Sequence, residues 1–171
     1  WAACTFCLRG LTDINGRSHE YRRFSIQRLS ADLDNLAFRG VTTVTFADED
    51  FLGGSLREVE EFVHSLADTM GPKPYSILFD VSATAQSLCA DNDSASDSER
   101  RGQVLRQLRS IGLNKVFLGL ESAAPTQLQR YAKGHSVREA SGAVDRVTES
   151  GARLEIGFIM FDPLCSLSEI V

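Results

Sequence analysis

Four short runs of β-branched and aromatic residues recur along the chain at nearly constant spacing, each separated from the next by a helical pattern. They are 41–47 (VTTVTFA), 75–81 (YSILFDV), 115–120 (KVFLGL) and 154–161 (LEIGFIMF), and their first residues lie 34, 40 and 39 positions apart. Each run is nearly continuous in apolar residues instead of alternating, which suits strands buried on both faces of a parallel sheet. Between the runs, apolar residues repeat at helical spacing. Ile26, Leu29, Leu33 and Leu36 do so between Ser25 and Phe38, as do Leu56, Val59, Phe62, Val63 and Leu66 between Ser55 and Met70. Val104, Leu105, Leu108 and Ile111 mark a third helix over 99–111, and a fourth covers about Ser136–Ser150. Gly40, Gly71-Pro72, Gly112 and Gly151 supply stops, and Ser55 with Glu58 forms a candidate capping box. Such an array, with right-handed crossovers, makes the four strands parallel neighbours in chain order. The fold class is α/β, as a barrel or an open doubly wound sheet. Residues 91–98 (DNDSASDS) break the pattern and read as a solvated, disordered loop without function.

Composition narrows the function. With 171 residues, 43% of them hydrophobic, the chain is suited to one domain with a single core. Its net charge of −5 excludes a generally basic nucleic-acid-binding surface. No apolar run approaches the roughly 20 residues that span a bilayer, and no signal-peptide pattern opens the chain, so a soluble protein without a membrane partner is expected. The start at Trp1, without Met, leads to the expectation that the chain is a piece of something longer. Four cysteines are too few for a disulfide scaffold, and a reducing, cytoplasmic setting is the simpler reading. Cys89 and Cys165 stand alone and read as buried small hydrophobes.

In parallel βα folds the active site lies at the carboxyl ends of the strands. Here those ends read Asp48-Glu49-Asp50, Asp80 and Ser82, Glu121-Ser122, and Asp162, a carboxylate for every strand. Cys4 and Cys7 form a CxxC pair ahead of the array, where a preceding loop brings it to the same rim. Alone, the pair fits half a zinc site, a redox dithiol, or two thiolates of an iron–sulfur cluster. Zinc needs two more ligands, and His19, His64 and His135 are scattered; His64 falls within a helix and reads as structural. A redox CxxC opens a helix, whereas Cys7 is followed by Leu8-Arg9-Gly10 and a polar stretch.

These segments resemble the radical S-adenosylmethionine (radical SAM) superfamily. Cys4-Thr5-Phe6-Cys7 matches the second half of its CxxxCxxC signature, aromatic residue included, and the first Cys is expected immediately before Trp1. Val44 to Phe51 is similar to the second-strand motif ending D-[DE]-x-F. KVFLGLES over Lys115 to Ser122 resembles the fourth-strand motif, and Leu128 to Ser136 carries the usual L-x-x-x-x-K-G-H-[ST]. Gly157 to Pro163 resembles the fifth-strand segment, with Phe161 where many members carry Gly.

The resemblance implies a parallel partial (β/α)6 TIM-like barrel. Residues 1–171 would be its radical SAM core, truncated at both ends, from about the second to the fifth strand unit. It implies a [4Fe–4S] cluster held by Cys4 and Cys7, and SAM cleaved to a 5′-deoxyadenosyl radical for modification of a small-molecule or peptide substrate, with an electron donor as partner. Asp48 or Glu49 would accept from the SAM ammonium, Glu121 from the ribose hydroxyls, Lys133 would meet the SAM carboxylate, and Phe6 and Ile159 the adenine side. No catalytic side chain beyond these is assigned. The I-M-F-D-P stretch leans toward the cobalamin-linked methyltransferases over the methylthiotransferases, with cobalamin held by a domain outside this chain. Two other readings share the same residues: a non-redox, metal-dependent (β/α) enzyme, and a zinc-stabilised binding module.

Overall fold

The structure, a computed structural model, describes residues 4–7 and 23–169. Trp1, Leu8-Arg9-Gly10 and His19 lie outside the described residues. Helix α1 (Ile26–Phe38) leads into β1 (Thr43–Thr45), followed by α2 (Leu56–Met70), β2 (Leu78–Ala83), the short α3 (Ala85–Leu88) and α4 (Ala95–Ser110). Then come β3 (Leu113–Glu121), α5 (Pro125–Arg130), α6 (Val137–Glu149) and β4 (Arg153–Phe158). The sheet order is β1-β2-β3-β4, and each neighbouring pair is parallel. This is the α/β architecture of a partial TIM-like barrel.

The helices start where side chains cap them. Ser25, Ser55, Thr84, Ser94 and Ser136 each accept a backbone N–H from the first turn. Ser55–Glu58 and Ser136–Glu139 are full capping boxes. Val59, Val63 and Leu66 of α2, Val104, Leu105 and Leu108 of α4, and Ala140, Ala143 and Val147 of α6 are buried in one core. They share it with Phe79, Val81 and Ala83 of β2 and Val116, Leu118 and Leu120 of β3. Each fully buried leucine of this set contributes about 1.5–3 kcal/mol. The alternate residues of β3, at 115, 117, 119 and 121, are half-buried on the opposite, inward face. β2 and β3 are therefore one-sided in apolar burial, and β1 and β4 bury no residue fully, unlike the doubly buried strands expected from the runs.

Three expectations are corrected. Strand β2 starts at Leu78 instead of 75, because Tyr75 and Lys73 turn to Asp34 of α1, at 2.6 Å and 2.8 Å, before the chain enters the sheet. Strand β4 ends at Phe158, so 159–161 lie beyond it. The 91–98 tract is ordered: Ser94 caps α4, Ala95 begins the helix, and both Asp93 oxygens bind Arg101, at 2.7 Å and 3.0 Å. Its acidic residues lie at a helix start beside Arg100 and Arg101, where dipole and ion pairs favour them.

Gly40 (φ +80°) and Gly112 (φ +114°) both end helices in conformations that favour glycine, with different surroundings. A Cβ on Gly40 would meet nothing within 4 Å, whereas one on Gly112 would fall on the backbone carbonyl oxygen of Ile77. Gly40→Ala should cost about 1 kcal/mol for the left-handed backbone alone. Gly112→Ala should cost at least twice as much, because the obstructing atom is backbone and cannot rotate away. Denaturant midpoints of the two variants compare them; equal losses would contradict the close packing of Gly112 on the Ile77 carbonyl.

Candidate functional site

The inward face of β3 is built around two glycines. A Cβ on Gly157 of β4 would come within 2.8 Å of Phe117 Cζ, so glycine is what lets the Phe117 ring lie across β4. A Cβ on Gly119 would come within 2.9 Å of Glu121 Oε1 and 3.6 Å of Lys133 Nζ. The space above Gly119 thus holds the Glu121 carboxylate and the Lys133 ammonium, 3.6 Å apart, with side chains only 16% and 12% exposed. Glu121 has φ +67° and Ala132, beside Lys133, has φ +51°; they are the non-glycine residues with positive φ among those described. Backbone strain therefore gathers at this contact, as it does at functional sites. It is held by the Ile159 N–H, which donates to the Glu121 carbonyl oxygen at 2.9 Å across a register shift between β3 and β4.

The cysteine turn docks beside this pair. Cys7 N–H donates to Cys4 O (3.1 Å), closing the turn. Thr5 donates its N–H to Tyr131 O (3.0 Å) and its hydroxyl to Arg130 O (3.1 Å), at the carboxyl end of α5. Phe6 meets the Tyr131 ring edge-on with centroids 5.5 Å apart, and Lys133 Nζ stands 5.8 Å from the Phe6 centroid. Cys4 is half-buried, Cys7 is exposed, and both are free thiols. The fold thus brings Cys4, Phe6, Cys7, Glu121 and Lys133 together. Two sulfurs on one tight turn are soft donors of the kind an iron–sulfur cluster takes. Among the described residues no third side chain completes a metal-binding group. The two described histidines, His64 and His135, lie apart from the turn in their bonding. His64 is exposed on α2 beside Asp68 at 3.4 Å; buried His135 bonds the Leu120 backbone and leaves its Nε2 unpartnered.

The expected ring of carboxylates is smaller than the sequence suggested. Asp80 lies inside β2, not at its end, and takes Asn114 Nδ2 at 2.7 Å with Lys115 Nζ at 3.5 Å. Asp162 is consumed by Arg130 (2.8 Å), the Tyr131 hydroxyl (3.1 Å) and the Leu164 N–H (2.9 Å). Those bonds, the Leu164 N–H foremost, hold its carboxyl below the usual range. Asp50 binds Thr84 and the Leu52 N–H, and burial pushes its carboxyl up. Asp48 and Glu49 remain exposed past β1, while Ile159 is half-buried. Ser122, not Glu121, takes the Ala124 N–H (2.9 Å) at the start of α5. Cys89 packs against the core, and Cys165 is half-buried. Sequence reading missed Gln127, Arg130 and Tyr131, whose i, i+4 spacing across Gln127–Tyr131 was the one available signal.

Two outcomes follow from this geometry. Only glycine is at ease at the Glu121 backbone conformation, so Glu121→Gly should be more stable than Glu121→Ala by about 0.5–1 kcal/mol in a melt, although both lose the carboxylate. The second concerns Glu169, which Thr126, the Ser166 N–H and Arg130 hold down to about 2 from an ordinary value of 4.5. A depressed folded value gives stabilisation that is complete above about pH 4.5 and lost as pH falls through about 2. The Ser166 amide resonance should move in that window and stay fixed above it.

No protein-family model matches the sequence. It is similar to 4′-phospho-dehydrooxetanocin synthase of Priestia megaterium, 27% identical over 170 residues, covering 96% of this chain and 22% of that protein. Among solved structures it is similar to the cobalamin-dependent S-adenosylmethionine radical enzyme OxsB with aqua-cobalamin and S-adenosylmethionine bound. The TM-score is 0.86 and the identity 26%, over 98% of this chain and 23% of that one. The radical S-adenosylmethionine methyltransferase TsrM from Kitasatospora setae, with cobalamin and a [4Fe-4S] cluster bound, shares the fold. Its TM-score is 0.57 at 14% identity, over 91% of this chain and 26% of that one. The chain spans less than a quarter of the length of the relatives it matches at 26–27% identity. In sequence and fold together, it is similar to a segment of cobalamin-dependent radical SAM enzymes, in keeping with the resemblance read from its motifs.

Proposed function

We propose that this chain is the cofactor-binding core of a radical SAM enzyme, with Cys4 and Cys7 as two ligands of a [4Fe–4S] cluster. The observation that carries the reading is the meeting of a two-thiol turn, Phe6, Lys133 and the strained Glu121 at the carboxyl end of β3. When bound, the cluster supplies the electron that cleaves SAM to methionine and a 5′-deoxyadenosyl radical. The protein's own part is to bind and orient. Cys4 and Cys7 act as thiolates, with a third cysteine expected immediately before Trp1. Glu121 accepts hydrogen bonds from the two ribose hydroxyls, which suit a bidentate carboxylate. Lys133 meets the SAM carboxylate, and Asp48 or Glu49, exposed past the end of β1, accepts from the ammonium. Phe6 offers apolar surface to the adenine. Ile159 offers its carbonyl there, since its N–H is already given to Glu121.

A cobalamin-dependent reaction is the finer reading, supported by the likeness to OxsB, with cobalamin held by a domain outside this chain. The substrate is a small molecule or peptide, and the partner is an electron donor. No helix among the described residues is long and apolar enough to cross a membrane. Four free cysteines suit a cytoplasmic enzyme.

Titration calorimetry of reconstituted protein with SAM tests the reading. Glu121→Ala should weaken SAM by about 1.5–3 kcal/mol per charge-assisted bond lost, roughly tenfold or more, with iron and sulfide content unchanged. Unchanged affinity with a lowered melting temperature would make Glu121 a structural residue and remove the main support for this function.

A further inference from the structure

Among the described residues, the turn that carries Cys4 and Cys7 is bonded to the end of α5 and not to the sheet. Its bonds go to the last residues of α5, where Arg130 O and Tyr131 O accept from Thr5 and the Tyr131 ring packs on Phe6. That end of α5 is tied in turn to the segment after β4. The Tyr131 hydroxyl and Arg130 both bind Asp162, at 3.1 Å and 2.8 Å, and Arg130 also binds Glu169 at 2.7 Å. Thr126, one turn earlier on α5, binds Glu169 as well, at 2.5 Å. On the inner side, buried Gln127 donates to the Tyr131 hydroxyl at 2.9 Å and accepts from Ser122, directly after Glu121. A continuous polar chain thus joins the strained end of β3, the end of α5 and the segment 162–169, with the thiol turn resting on its middle.

We infer that Arg130 and Tyr131 form a latch through which the segment 162–169 positions the Cys4–Cys7 turn. Asp162 and Glu169 hold Arg130 and Tyr131, and these hold Thr5 and Phe6. All four act on the thiols through Thr5 and Phe6 and are positioning residues. The inference rests on the reading of Cys4 and Cys7 as cluster ligands only for its consequence. The latch itself is a property of the protein without cofactor.

Two mild variants open it from opposite sides. Tyr131→Phe keeps the ring against Phe6 and removes the hydroxyl; Asp162→Asn keeps the volume and removes the charge. The readout is the alkylation rate of each cysteine in cofactor-free protein, resolved by peptide mass spectrometry. Cys89, packed in the core near Gly142 of α6, is the internal reference. In both variants Cys4 should be alkylated about threefold faster or more with Cys89 unchanged, a local release that a general loss of stability does not mimic. Unchanged Cys4 rates overturn the latch, and so does a parallel rise at Cys4 and Cys89. Reconstitution separates the two inferences. Wild-type protein that includes the residues ahead of Trp1 and still takes up no iron and sulfide overturns the cluster reading, while the thiol rates still decide the latch. If it does take them up, both variants should lose iron to a chelator faster than wild type.

Discussion

The contact between the inward faces of β3 and β4 governs the mouth of this fold. At that contact both strands present glycine, paired Gly119 to Gly157 in the parallel register. Without a side chain at 157 the Phe117 ring can lie across the neighbouring strand; without one at 119 the Glu121 carboxylate and Lys133 ammonium can fold back over β3. A methyl group at either place would meet an atom closer than 3.0 Å. The two glycines cost backbone entropy within strands and provide no packing of their own. What they provide is space on one side of a sheet whose other side is filled by α2, α4 and α6 with parts of α1 and α3.

That division of labour explains how strain is tolerated at Glu121. Non-glycine residues at positive φ cost about 1–3 kcal/mol and persist where surrounding structure determines them. Behind Glu121 lie Val116, Leu118 and Leu120 in the core, and beside it lies the Ile159 N–H, so the backbone is fixed on both sides before the side chain has any partner. Ala132 repeats the arrangement at the end of α5, with its N–H and that of Lys133 returned to Gln129 O and Leu128 O. The two strained residues aim the two ends of one ion pair.

Much of the architecture was legible because it rests on period and punctuation. Gly40, Gly112 and Gly151 all adopt positive φ between a helix and a strand, as their places in the sequence imply. Ser55 and Glu58 close the capping box that their spacing suggests. The errors arose where side chains act at long range. Tyr75 belongs to an apolar run by composition yet leaves the sheet to reach Asp34, 41 positions away, and this slips Asp80 from the strand end to its interior. Asp162 looked like a fourth rim carboxylate because nothing local marks its 32-position bond to Arg130. Cys4, Phe6, Cys7, Glu121 and Lys133 were singled out through the motifs of the resemblance, and the fold gathers them; the polar chain beside them was not legible, since Gln127, Tyr131 and Arg130 acquire partners only on folding.

The same bonding distinguishes carboxylates that are spent from one that is not. Asp80 has an amide donor at 2.7 Å, Asp162 has a guanidinium at 2.8 Å and a backbone N–H at 2.9 Å, and Asp50 has a hydroxyl at 3.0 Å. All of these lie within the range of about 2.7–3.2 Å in which N–H and O–H donors occupy a lone pair. The Glu121–Lys133 separation of 3.6 Å lies outside it. At that distance the lysine offsets the charge of a mostly buried carboxylate without occupying its acceptor positions. The pair thus sets a carboxylate in a shielded place, with a cation beside it, while leaving its oxygens able to take donors from a ligand. The tightly bonded Asp80, Asp162 and Asp50 cannot do this, because each would first have to give up a bond that holds the fold.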